Sequence, residues 1–235
     1  MPEVKPLGAG EATPTRLAAL AREMFVDEPW LGRLLQHLRP HICPLEDVLE
    51  VITPGSRVLD VGCGSGLLLG LAARTGRLSD LPWAASVGFD SSQDAIRVAR
   101  AMTDRARIGH RVRFEHLRVQ EPWPEGMFDA VTIIDVMHHV PLSAQAEMIR
   151  LASRHVRPGG RLIYKDMLGT GPRGLANTLH DLVKARQLVR YAPIAEVEAL
   201  AQSEGLRLWH ASDTCRLWYA HQLRVFVRPD GVAPA

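Results

Sequence analysis

Residues 58–66 read Val-Leu-Asp-Val-Gly-Cys-Gly-Ser-Gly, and no other stretch constrains the fold as much. Val58–Val61 is short, apolar and rich in β-branched residues, the pattern of a strand buried on both faces. Gly62, Gly64 and Gly66 then let the backbone bend sharply and let a ligand lie against it. Leu67–Arg74 follows as an apolar helix, with Gly76 placed to end it. Strand, glycine turn and helix open a βαβ unit, in which the free N–H groups of the helix point back at the turn.

The rest of the chain repeats that alternation. Ser86–Phe89, Val112–Leu117, Phe128–Val136, Arg161–Lys165, Arg207–Asp213 and Leu217–Arg228 read as strands. Between them, Ser91 to about Ala106, Ser143–His155, Gly171–Tyr191 and Ile194–Glu204 read as helices. Ser91 and Asp94 have capping-box spacing, and Pro158-Gly159-Gly160 reads as the turn that closes the helix before it. Upstream, Pro2, Pro6, Gly8, Gly10 and Pro14 mark a loose tail, and apolar residues from Leu17 to Leu38 recur at helical spacing. The expected architecture is α/β, a doubly wound, mostly parallel seven-stranded sheet with a helical N-terminal cap. Residues 1–50 are expected to form the tail and cap, and 51–235 the main domain. In such sheets ligands bind beyond the carboxyl ends of the strands. That rule selects Gly62–Gly66, Asp90, Leu117–Arg118, Asp135–His139 and Lys165–Asp166.

Composition excludes several classes. With 28 Lys and Arg against 26 Asp and Glu, the charge is too balanced to announce a nucleic-acid binder. Arg97, Arg100, Arg105, Arg107, Arg111, Arg113 and Arg118 cluster, but Asp94, Asp104 and Glu115 dilute them. Cys43, Cys63 and Cys215 form no C-x-x-C pair, so no metal site is expected. No apolar run approaches the 18 or so residues of a membrane span, and the first residues lack a signal-peptide pattern. A cytoplasmic protein is the expectation.

Two ligand classes use a loop such as Gly62–Gly66. A pyrophosphate dinucleotide wants G-x-G-x-x-G, but the third position is Leu67. Asp60 in the incoming strand also suits a cation better than a pyrophosphate. Val58–Gly66 resembles the first motif of class I S-adenosylmethionine-dependent methyltransferases. Gly88-Phe89-Asp90-Ser91, Phe128-Asp129-Ala130-Val131 running into Asp135, and Val156-Arg157-Pro158-Gly159-Gly160 resemble later motifs in the family's order. The resemblance implies S-adenosylmethionine as cofactor. It implies Asp60 for the ammonium of the amino-acid tail, and Gly62, Cys63 and Gly64 as the cradle. It implies Asp90 with Ser91 for the ribose, and Asp135 after the fourth strand. Asp90 lies just before a helix, so capping is its alternative. The family's acidic adenine position falls on Leu117 or Arg118 here, which leaves backbone groups or Gln120 as alternatives.

Asp135-Val136-Met137-His138 lacks the Pro-Pro-aromatic motif of enzymes that methylate base or glutamine nitrogens. The expected acceptor is therefore an oxygen or carbon of a small molecule, free or carrier-bound, of aromatic or polyketide type. His138 and His139 are the candidate bases, because histidine titrates near neutrality; packing is the alternative for both. Lys165 and Asp166 are read as a solvated strand end or an ion pair. Phe25, Trp30, His180, Arg186 and Tyr191 are candidates for the acceptor side. An RNA or protein methyltransferase, and a non-catalytic cofactor-binding partner subunit, are the rival readings.

Overall fold

The computed structural model describes residues 11–167, 192–216 and 219–231. The helices are α1 (Pro14–Met24), α2 (Trp30–Ile42), α3 (Leu45–Val51), α4 (Leu67–Arg74), α5 (Gln93–Ala106), α6 (Leu142–Arg154) and α7 (Ile194–Ser203). The strands are β1 (Val58–Val61), β2 (Ser86–Asp90), β3 (Val112–His116), β4 (Phe128–Ile134), β5 (Val156–Met167), β6 (Arg207–Arg216) and β7 (Tyr219–Val227). They form one mostly parallel seven-stranded sheet in the order β3-β2-β1-β4-β5-β7-β6. The chain divides into two compact units, one up to Ala130 and one from Val131.

In the first unit, β1 pairs in parallel with β2, and β2 with β3. All four residues of β1 are buried, which is why its sequence is apolar without alternation. Val58, Leu59, Val61, Leu69, Leu71, Phe89 and Phe114 form the core there. The helix α1 starts at Pro14, and the Thr13 hydroxyl accepts from the Arg16 amide. Its Leu17, Ala18, Ala21 and Met24 are buried. The helix α2 is different. Its one buried residue is Pro40, while Trp30, Leu31, Leu34, Leu35 and Leu38 are exposed. Gly76, at φ +72°, follows α4 and donates to the Ala73 carbonyl, as expected of a helix-ending glycine.

In the second unit, β7 runs antiparallel to both β5 and β6. Arg228 is 0% exposed and its guanidinium donates to the carbonyls of Ser153, Val156 and Glu204 at 2.8, 2.9 and 3.0 Å. Arg224 bridges Glu198 on α7 and Asp213 on β6, each at 2.8 Å.

Some boundaries differ from expectation. The helix after β2 begins at Gln93, and its N-cap is Ser92, not Ser91; the Ser92 hydroxyl accepts from the Ala95 amide. Pro158-Gly159-Gly160 is not a turn outside the strand but lies within β5. The reason is long-range. Gly159 takes φ +73° and donates to the Arg228 carbonyl, and the Arg228 amide donates to Gly160. The strand β4 stops at Ile134 and β6 runs on to Arg216. The helix expected over 171–191 lies outside the described residues, as do His180, Arg186 and Tyr191.

Candidate functional site

The glycine loop of the first unit is held from below by β2. The amides of Gly62 and Cys63 both donate to the Phe89 carbonyl, at 2.9 and 3.0 Å. Gly62, Gly64 and Gly66 take φ of +70°, +53° and +79°, a region costly for residues with a Cβ. The glycines then differ in what surrounds them. A Cβ at Gly66 would lie 2.5 Å from the Phe114 ring. A Cβ at Gly88 would lie 2.7 Å from the same ring and 2.9 Å from the Cys63 Cβ. A Cβ at Gly64 would meet nothing within 4 Å. Gly66 and Gly88 are required by packing, whereas Gly64 lies under open space.

Asp90, the last residue of β2, ties this loop to the start of α5. One carboxylate oxygen accepts from the Gly64 amide at 2.9 Å, the other from the Ser92 amide at 2.8 Å. Each oxygen keeps a further acceptor position, enough for two hydroxyls. Asp90 is therefore not the cap of α5 but holds the cap residue Ser92, with capacity left for a ligand. Asp60 is buried at the carboxyl half of β1. Burial first, then the negative Asp60 and Asp90, push the Cys63 thiol well above its ordinary value. The Cys63 side chain is therefore a neutral packing group. The Ser91 carbonyl accepts from His116 Nε2 at 3.0 Å. Arg118 is exposed, and its amide donates to Glu121 at 2.6 Å.

Sequence reasoning missed one contact to the loop. Gln36 on α2 donates through Nε2 to the Ser65 hydroxyl at 2.7 Å. A polar residue in the middle of a helix, 29 positions away, gives no pattern that could have found it. Of the aromatic candidates on the acceptor side, Phe25 is in the core and Trp30 is 69% exposed. In the arginine cluster, Arg97 pairs with Asp94, Arg113 with Glu115, Arg105 with Asp27 and Arg111 with Asp80. Arg100 donates to the Phe114 carbonyl. Local partners thus absorb much of that charge.

The second unit carries the residues that follow β4 and end β5. Asp135 has φ +55°, held there by its amide donating to the Lys165 carbonyl at 2.8 Å. The Lys165 ammonium, 0% exposed, pairs with the Asp135 carboxylate at 2.7 Å. Met137–His139 make a single 3-10 turn. The turn separates the two histidines. His139 is exposed, whereas the His138 side chain is 3% exposed and places Nδ1 2.6 Å from Asp166. A carboxylate can only accept, so Nδ1 carries the proton and Nε2 is the basic nitrogen of the ring. The same Asp166 oxygen accepts from the Met167 amide at 2.8 Å, and the other oxygen is buried with no partner. Burial first, then Asp166 and Asp135, hold the Tyr164 phenol far above its ordinary range, against the pull of Arg224. Of the two readings of Lys165 and Asp166, Lys165 is found in an ion pair with Asp135, and Asp166 is found in a hydrogen bond with His138. Among the described residues no group of His, Cys, Asp and Glu could hold a metal ion, and no helix is long and apolar enough to cross a membrane.

Comparisons with known proteins agree with this geometry. A family model described as a methyltransferase domain matches residues 32–211. A 27-O-demethylrifamycin SV methyltransferase of Amycolatopsis mediterranei is 32% identical over 164 residues, 68% of this chain and 57% of that protein. A ubiquinone biosynthesis O-methyltransferase of Xanthomonas campestris is 36% identical over 121 residues, 50% of this chain and 46% of that protein. The match thus spans about half the length of these curated relatives. Among solved structures, a magnesium protoporphyrin IX methyltransferase from Synechocystis, with bound S-adenosylmethionine, superposes with a TM-score of 0.61 at 18% identity. That match covers 89% of this chain and 90% of the other. With strand order, glycine cradle and family match in agreement, the chain belongs to the methyltransferase-domain family.

Proposed function

We propose that this chain is an S-adenosylmethionine-dependent methyltransferase that methylates an oxygen of a small molecule of aromatic or polyketide type. We infer that it acts in the cytoplasm on a free or carrier-bound acceptor. We keep residues 1–50 as tail and cap and 51–235 as the methyltransferase domain. The names of the similar proteins support an oxygen acceptor.

The cofactor residues fit the ligand by chemistry. Gly62 and Gly64 allow close approach of its backbone-facing edge. Asp90 can accept two ribose hydroxyls while keeping its hold on Gly64 and Ser92. Buried Asp60 favours a cation at the loop. Asp135, in the second unit, is braced by Lys165. When bound, S-adenosylmethionine supplies an electrophilic methyl group on a sulfonium.

The observation that carries the oxygen acceptor is the pair of buried His138 and Asp166. A hydroxyl must lose its proton as it is methylated. His138 Nε2 is the base that takes it, and Asp166 holds the ring in the right tautomer and stabilises the imidazolium that forms. Asp166 is a positioning residue in this scheme, and exposed His139 has no part in it.

Two measurements test the reading. Calorimetry should find S-adenosylhomocysteine binding in the micromolar range, with NAD silent, and Asp90→Ala should weaken that binding sharply. Methyl transfer from labelled S-adenosylmethionine to a panel of phenols and catechols should then fall about 10²-fold or more in His138→Ala. Asp166→Asn should fall similarly, with S-adenosylhomocysteine affinity unchanged, and His139→Ala should stay near wild type. His138→Ala turning over at the wild-type rate would return the pair to a structural role.

A further inference from the structure

The helix α2 presents an unusual polar contact. Gln36 reaches the glycine loop through its amide nitrogen, at 2.7 Å from the Ser65 hydroxyl. Its amide oxygen is buried and accepts nothing. A dry orphan acceptor costs about 1–3 kcal/mol, so one that persists points to a donor supplied from outside the chain.

The surroundings say which donor. Ser65 follows Gly64, the loop residue under open space. On the other flank of Gly64, its amide is held by Asp90, which the reading above gives to the ribose. No lysine or arginine occurs in the strand and loop from Val58 to Gly66, and Asp60 is buried in that strand. The orphan oxygen thus lies beside a loop that carries no cationic side chain of its own. It suits a cationic N–H donor better than an anion or a neutral hydroxyl. Resting on the S-adenosylmethionine reading, we propose that Gln36 accepts a hydrogen bond from the α-ammonium of the cofactor's methionyl tail. The inference makes α2 a clamp on that tail. One amide then joins three parts: helix, loop serine and ligand.

The attachment of α2 makes this a binding device rather than a core contact. The helix is tied to α1 by His37, whose Nδ1 lies 3.1 Å from the Ala18 carbonyl, and it buries only Pro40. Gln36 itself is half-buried, so its replacement leaves the core intact.

The test compares two ligands that differ in the tail alone. S-Adenosylhomocysteine carries the amino-acid tail, and 5′-methylthioadenosine has the adenosine and thioether without it. Calorimetry on the full chain should find Gln36→Leu weakened about tenfold or more for S-adenosylhomocysteine, the worth of one hydrogen bond to a charged group. The same variant should bind 5′-methylthioadenosine as wild type does. Gln36→Glu, which keeps an acceptor, should hold S-adenosylhomocysteine near wild-type affinity. Unchanged binding of both ligands by Gln36→Leu overturns the inference, and so does an equal loss of both, which would mark a loop-shaping role. Wild-type protein that binds neither compound overturns the cofactor reading itself.

Discussion

Two cysteines of this chain have opposite chemistry although both are thiols in a β-rich setting. Cys63 sits in the glycine loop with its thiol 3.6 Å from the Gly64 carbonyl, and its pKa is raised by burial and by two carboxylates. Cys215 is exposed near the end of β6. The thiolate is the reactive form, so iodoacetamide at pH 8 should label Cys215 first and leave Cys63 nearly untouched, as peptide mass spectrometry would record. Folding linkage has the same sign. A folded pKa above the unfolded value of about 8.5 contributes stability below that pH, and the contribution fades as pH rises past it. Cys63→Ala should therefore lose less stability than wild type between pH 8 and 10, measured by urea titration at each pH. Labelling of Cys63 at a rate equal to Cys215 would contradict this. At this scale the sequence was partly legible. Asp60, Asp90 and the glycines carry their identity in spacing. The partnership of His138 with Asp166, 28 residues apart, and the orphan oxygen of Gln36 do not, because each depends on distant chain brought close.

At the scale of the element, the glycine turn separates two demands that a motif merges. Gly66→Ala places a methyl group against the Phe114 ring in a left-handed conformation. It should cost about 3 kcal/mol or more, from backbone strain plus overpacking, and be read as a lowered urea midpoint. Gly64→Ala meets no neighbour and should cost only about 1–2 kcal/mol of strain. Its effect should appear instead in S-adenosylhomocysteine affinity, because the new methyl group fills the space the ligand would use. A Gly64→Ala variant with wild-type affinity would remove that space from the site. The far ends of the helices obey a plainer rule. Arg22, Arg74 and Arg105 stand in the last turns of α1, α4 and α5, where carbonyl ends favour cations. With Glu23, Val26 and Arg33 they line a hollow of ≈ 560 Å³. Element boundaries were less legible than element types. Ser91 and Ser92 are chemically alike, and it is Ser92 whose hydroxyl accepts from the Ala95 amide where α5 begins.

The alternation of strands and helices announced the architecture of the whole molecule, because a sheet covered on both faces needs continuous apolar strands. What the alternation hid was the length of β5. Pro158-Gly159-Gly160 is turn chemistry locally, and only pairing with Arg228 makes it part of a strand. That same Arg228 caps the end of α6 through Ser153 and also reaches Glu204 and Val156. Burial lowers its pKa and Glu204 opposes that shift. Arg228→Met should destabilise the second unit by about 3–5 kcal/mol, since three buried carbonyls lose their donor together. Circular dichroism during denaturation would register it; a midpoint within error of wild type would show the carbonyls find other donors.

The position of Arg228 also sets a timetable. It follows Ser153 by 75 residues, so a ribosome finishes α6 long before the group that satisfies its last carbonyls exists. The glycine cradle, with Gly64 and Asp90 in the first unit, has all its parts translated by then. Nascent chains halted before residue 228 should already hold the cradle's segments and still be missing the donor that closes the second unit, which makes that interval the chain's window for chaperones and proteases.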